Sequence, residues 1–176
     1  MINKQAFINI YDEFRDVELN KEYYAKRMES VRRKLRAMDI FLAIFAGGSA
    51  VLGFAFWKYT IFGIDVGPIL FAFVTGIAAV VGIARPYLKM EDELERISGI
   101  QSSYAGISHK LKDVVLHLKT TKNVDPNSQA VYEAMRHIRG TLEAREDKPA
   151  KTVIVKEMEE VIKNRYPITY FWYPID

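Results

Sequence analysis

Cysteine is absent from the 176 residues, which excludes disulfides, a thiolate metal cluster and a cysteine nucleophile, and fits a reducing compartment. Histidine is scarce. His109 and His117 lie eight residues apart, outside metal-ligand spacing, and no carboxylate motif frames them or His137. Glycine forms no phosphate-binding loop, since Gly47 and Gly48 stand inside an apolar run. No grouping of serine, histidine and acid suggests nucleophilic catalysis, and the carboxylate runs at residues 91–93 and 159–160 read as solvated helix faces. A surplus of one charge sign is also missing. Lys and Arg number 25 against 22 Asp and Glu, a net +3 too small to point to nucleic acid. The expectation is a non-enzymatic chain without cofactor or metal.

The most informative absence is local. Residues 40–57 and 66–84 carry no charge, and the link 58–65 holds only Lys58 and Asp65. An 18-residue helix rises about 27 Å, close to the roughly 30 Å hydrocarbon core of a bilayer. Buried helices of a soluble bundle are apolar on one stripe rather than all round. The runs therefore read as a two-helix transmembrane hairpin, and the 39 mostly polar residues before it argue against a signal peptide. Lys26, Arg27, Arg32, Arg33, Lys34 and Arg36 precede it, Arg85, Lys89 and Arg96 follow it, and the link has Lys58 alone. By the positive-inside rule both termini are cytoplasmic. Trp57, Tyr59 and Tyr87 sit where aromatic rings favour the interface. Arg32, Arg33, Lys34, Arg36, Arg85 and Lys89 are the expected contacts to lipid headgroups. Glu29 and Asp39 interrupt the basic run, which with its place beside the membrane speaks against nucleic acid. Pro68 can open the second helix, and Pro86 predicts a kink or break at the membrane surface.

The remainder is helical and amphipathic. In arm 1–39, Phe7, Ile10, Phe14 and Val17 follow 3-4-3 spacing, and Tyr24, Met28, Val31, Leu35 and Met38 continue it. Residues 18–21 are expected to interrupt the two stretches, with Asn20 as a cap. In segment 85–120, Leu94, Ile97, Gln101, Tyr104, Ser108, Leu111, Val115 and Leu118 alternate threes and fours, widened by Ile100, Ile107 and Val114. That is the pattern of a coiled coil or helical bundle, formed within one chain, between subunits, or both. Leu94, Ile97, Tyr104, Leu111, Val115 and Leu118 are the expected packing positions. A helical pair fills 121–165: Asp125 caps the first helix ahead of Pro126, and Val131, Ala134, Met135, Ile138 and Leu142 form its apolar face. In the second, Ile154, Met158, Val161 and Ile162 point inward. The aromatic tail 166–176 reads either as a strap across the helices or as a partner-docking or interfacial segment.

Within the hairpin, small residues recur at helical spacing. Gly47, Ala50 and Gly53 on the first span and Ala72, Gly76, Ala79 and Gly82 on the second allow close helix approach, and Ser49 and Thr75 are the only polar side chains there. These are the candidates for membrane helix packing or pore lining. No buried charge marks an ion relay.

This layout resembles the SLATT domain family. The resemblance covers about residues 20–165 and is carried by Tyr24, Ala25, Lys26, Arg27 and Met28, by Arg32, Arg33, Lys34, Leu35 and Arg36, by the hairpin 40–84, and by the heptads 94–118. It implies an all-α membrane protein of the bacterial inner membrane that homo-oligomerises and permeabilises that membrane in conflict or antiviral defence. Fused sensor or nucleotide-synthesising domains are lacking, so the trigger would come from a separate nucleotide-signalling or sensor partner. The contrasting expectation is a membrane-anchored scaffold that recruits a cytoplasmic partner.

Overall fold

Helix α1 runs unbroken over Lys4–Phe56. The computed structural model describes the backbone of residues 4–56, 60–61 and 64–170, and the side chains within them outside 46–67, 70, 86–87 and 170. The fold is all-helical. After α1 come a two-residue antiparallel pairing of Thr60–Ile61 (β1) with Ile64–Asp65 (β2), then α2 (Val66–Tyr87), α3 (Met90–Thr121), α4 (Pro126–Leu142) and α5 (Thr152–Arg165). Short 3-10 turns occupy Glu143–Arg145 and Ile168–Tyr170. The chain divides into two compact units, one of Met1–Met28 with Arg96–Asp176 and one of Glu29–Glu95.

The first unit is a helical bundle closed within one chain. Phe7, Ile10, Tyr11, Phe14 and Val17 of α1 are buried, as are Ile97, Ile100, Tyr104, Ile107, Leu111, Val114, Val115 and Leu118 of α3. Each such side chain contributes about 1.5–3 kcal/mol when fully withdrawn from water. The Tyr24 and Tyr104 rings stack with centroids 6.0 Å apart, tying α1 to α3. Arg139 of α4 reaches Glu13 at 2.8 Å, and Arg165 of α5 reaches Glu22 at 2.6 Å.

Three local expectations are corrected or refined. No interruption occurs at residues 18–21, where α1 continues. Glu18 is buried there, accepting hydrogen bonds from Ser108 and from Lys21, so the polar segment is held by α3 instead of turning to solvent. The inward face of α4 is rotated from the apolar one. Of the expected face, Leu142 is buried, Val131 and Met135 are half-buried, and Ala134 and Ile138 are exposed, while Ser128 and Tyr132 are buried beside it and Arg139 pairs with Glu13. The helix break falls after Pro86, since α2 continues to Tyr87 and the chain turns at Leu88 and Lys89. The Leu88 N–H is shared between the carbonyls of Ala84 and Arg85, at 3.2 Å each, and Lys89 adopts a left-handed φ of 45°.

Asp125 does cap α4, accepting from the Ser128 N–H at 2.8 Å with Pro126 in the first turn. At the tail, the Tyr11 hydroxyl donates to the Pro167 carbonyl at 2.9 Å and the Tyr166 ring meets Phe14 edge-on at 5.0 Å. Residues 166 and 167 thus strap α1, while 171–176 lie outside the described residues.

In the second unit, Arg85 of α2 pairs with Asp39 of α1 at 3.0 Å. A Cβ added at Gly82 would meet the Leu42 side chain at 3.9 Å, ordinary contact distance, so the helices approach closely there.

Just past α3, Lys122 takes φ of 56° while its N–H bonds the Leu118 carbonyl at 2.9 Å, the helix-ending geometry that glycine favours. Lys122→Gly should therefore stabilise the first unit by about 0.5–1 kcal/mol, read as a higher thermal midpoint. A lower midpoint would show that the lysine side chain matters more than the backbone strain.

Candidate functional site

The second unit holds the hairpin candidates. α2 has no buried residue among its described side chains. Phe71, Val74, Ala78 and Val81 are half-buried at 3-4-3 spacing and form its inner face. The rest looks outward: Ile69 is 63% exposed, Phe73 67%, Val80 67% and Ile83 68%. Ala72, Thr75, Gly76, Ala79 and Gly82 are exposed as well, and among the described residues a Cβ at Gly76 would meet nothing within 4 Å, whereas Gly82 approaches Leu42. The side chains of Gly47, Ser49, Ala50 and Gly53 lie outside the described residues, as do those of Trp57, Lys58, Tyr59 and Tyr87. Ile40 and Ile44, on the part of α1 that enters the first charge-free run, are 53% and 58% exposed.

At the charged end of the unit, Arg32, Arg33, Lys34 and Arg36 are exposed on α1, with Arg33 bonded to Glu29 at 2.8 Å. Arg85 also reaches Glu91 at 3.2 Å, and Lys89 is exposed. Around Arg85 lies a hollow of about 270 Å³ lined by Leu35, Arg85, Lys89, Met90, Glu91 and Asp92.

The first unit contains a polar cluster that sequence reading passed over. Asp147, from the loop between α4 and α5, accepts from Arg27 of α1 at 2.8 Å, from Arg96 of α3 at 2.7 Å and from the Tyr23 hydroxyl at 3.1 Å. Its own N–H donates to the Tyr24 hydroxyl at 3.0 Å, and the Lys151 N–H donates to Tyr23 at 3.1 Å. Arg96 also donates to the Arg145 carbonyl at 2.6 Å, and the Tyr104 hydroxyl donates to Glu146. Burial pushes the Asp147 carboxyl upward, but hydrogen bonds from Arg96 and Arg27 outweigh that and hold it below the usual carboxylate range. Burial raises Tyr24 to about 12, and burial with the Glu146 bond raises Tyr104 further, so both hydroxyls stay protonated.

These contacts change how the basic residues are counted. Of the nine flanking the hairpin, Arg27 and Arg96 belong to the Asp147 cluster, and Lys26 pairs with Glu157 at 3.0 Å. The six that remain are those expected at headgroups. A signal for the cluster does exist in the sequence. Tyr23, Tyr24 and Arg27 share one helical face of α1, a polar-tipped patch on an otherwise apolar stripe. Of the expected α3 packing positions, Ile97, Tyr104, Leu111, Val115 and Leu118 are buried and Leu94 is half-buried.

Among the described residues no group of three His, Asp or Glu could hold a metal ion. No single described helix is long and apolar enough to cross a membrane, although the bent pair Phe71–Arg85 with Met90–Thr121 passes on length and composition. Comparison with protein-family models, with curated proteins and with solved structures gives no match.

Asp147→Asn should leave Arg27 short of a buried partner and destabilise the first unit by about 2–4 kcal/mol. Because the carboxyl's folded pKa is depressed, its contribution is complete above the ordinary value of 3.8 and fades as pH falls through the folded value. Thermal melts of the full chain in mild detergent should show the two proteins separated near neutral pH and converging in strong acid. A gap that persists unchanged into acid would contradict this assignment.

Proposed function

We propose that this chain is a two-span membrane effector that oligomerises through its hairpin and permeabilises the membrane when a separate sensor partner triggers it. The observation that carries the reading is the outer surface of α2. The large apolar side chains exposed on it would cost on the order of 5–10 kcal/mol if left in water. Lipid or further copies of the chain are the natural cover. By length alone the 22 residues of α2 rise about 33 Å, comparable to a hydrocarbon core of about 30 Å, and its described part passes on length and composition only together with α3. The charge-free 40–57 run supplies the second span, and the basic residues around it favour cytoplasmic termini.

Oligomerisation rests on the small-residue stripe. Ala72, Gly76 and Ala79 are exposed and small, which suits close approach between copies at this stripe. No charged residue lies in either run, so ions would pass along a path lined by several copies, with Ser49 and Thr75 as the polar side chains available. The layout's resemblance to SLATT effectors of the bacterial inner membrane supports the same reading.

Induced overexpression, which drives assembly by mass action in place of the trigger, should collapse membrane potential, followed with a potential-sensitive dye, and stop growth. Gly76→Leu places a side chain where none of the described residues lies within 4 Å of the added Cβ, so the variant should fold and insert normally yet leave the potential largely intact. An undisturbed potential with the unaltered chain at equal membrane abundance would reject the effector and leave the non-catalytic anchor that recruits a cytoplasmic partner.

A further inference from the structure

The hollow at the end of α2 differs in charge from the basic collar it adjoins. Arg85 and Lys89 contribute two positive charges to its lining, Glu91 and Asp92 contribute two negative ones, and Asp39 adds a further carboxylate against Arg85. A purely anionic headgroup would meet at least as much repulsion as attraction there. A headgroup with both signs would not. We propose that this hollow binds the zwitterionic phosphoethanolamine headgroup of a membrane lipid, its phosphate at Lys89 and Arg85 and its primary ammonium at Glu91 and Asp92. The assignment rests on the membrane reading above.

Several features of the place fit this occupant. At about 270 Å³ the hollow lies below the roughly 300–1,000 Å³ of small-molecule pockets and suits a single polar headgroup. Lys89 and Asp92 are exposed and open to a ligand, and Glu91, exposed as well, has one oxygen on Arg85 at 3.2 Å and the other to offer. The left-handed backbone at Lys89 turns the chain sharply, so the base at residue 89 and the acids of the first turn of α3 line one concavity. Leu35 and Met90 supply apolar lining, and Leu88 beside them is 51% exposed, as an adjoining acyl chain requires. The hollow immediately follows the charge-free run that ends at Ala84, which puts it at headgroup depth when α2 spans the core. A primary ammonium donates hydrogen bonds to carboxylates and a quaternary one cannot, so phosphatidylethanolamine is favoured over phosphatidylcholine.

The test uses the full chain in detergent, given equal amounts of phosphatidylethanolamine, phosphatidylcholine and phosphatidylglycerol with matched acyl chains, and native mass spectrometry to count retained lipid. Phosphatidylethanolamine should exceed each of the others by about tenfold, the scale of one charge-assisted hydrogen bond. The double variant Glu91→Gln, Asp92→Asn should reverse the preference toward phosphatidylglycerol, whereas Lys89→Gln should weaken phosphatidylethanolamine retention without any gain for phosphatidylglycerol. Equal retention of the three lipids, a wild-type preference for phosphatidylglycerol, or free phosphoethanolamine binding as tightly as the lipid would overturn the assignment. Vesicle flotation separates this from the parent reading. A chain that floats with all compositions but lacks the preference sinks the headgroup site alone, and one that floats with none sinks the membrane reading.

Discussion

Water tolerates scattered apolar side chains on a protein surface, but not a helix that presents them on nearly every side. Helix α2 is such a helix. Its inner face of Phe71, Val74, Ala78 and Val81 is only half-buried, while Ile69, Phe73, Val80 and Ile83 stand open. The bundle built from the other unit needs no help from this surface. Its buried stripe on α3 already meets α1, and the polar groups among them are largely partnered within the chain. The exposed apolar face of α2 is thus a surface for which lipid or another copy of the chain is the natural cover.

The bundle reaches its own solution by burying charge in pairs. Asp147 gathers Arg27, Arg96 and Tyr23, and Glu18 takes Ser108 and Lys21. A buried pair of this kind is weak evidence of net stability, but losing one member leaves the other uncompensated, so the arrangement fixes which helices meet and where. Arg27 is the last residue but one of the first unit's leading segment, and Arg96 opens its trailing segment. The 143–151 loop therefore ties α1 and α3 at the two points where the chain leaves and re-enters that unit.

What could be read in the sequence was whatever repeats at helical spacing. The α3 stripe, the Asp125 cap and the early α1 stripe at Phe7, Ile10, Phe14 and Val17 are local patterns, and each has its counterpart in the structure. What could not be read were pairings across long stretches of chain. The polar run at residues 18–21 looks like a helix end until Ser108, 90 residues beyond Glu18, supplies its partner. The face of α4 is only partly the apolar one, with Leu142 buried and Ile138 exposed, and its Arg139 finds Glu13, 126 residues away. In the hairpin, composition marked the small residues. Only the structure separates the Gly82 approach to Leu42 from the open stripe at Gly76.

In the proposed topology the charge-free runs cross a membrane and the link lies on the side opposite the termini. The absence of native cysteine makes a direct measurement simple. Single cysteines introduced by Lys58→Cys in the link and by Ser102→Cys on the exposed side of α3 can be labelled with a membrane-impermeant maleimide in intact spheroplasts. Labelling is expected at 58 before lysis and at 102 only after it. Equal labelling of both positions before lysis, or of neither until lysis, would contradict it.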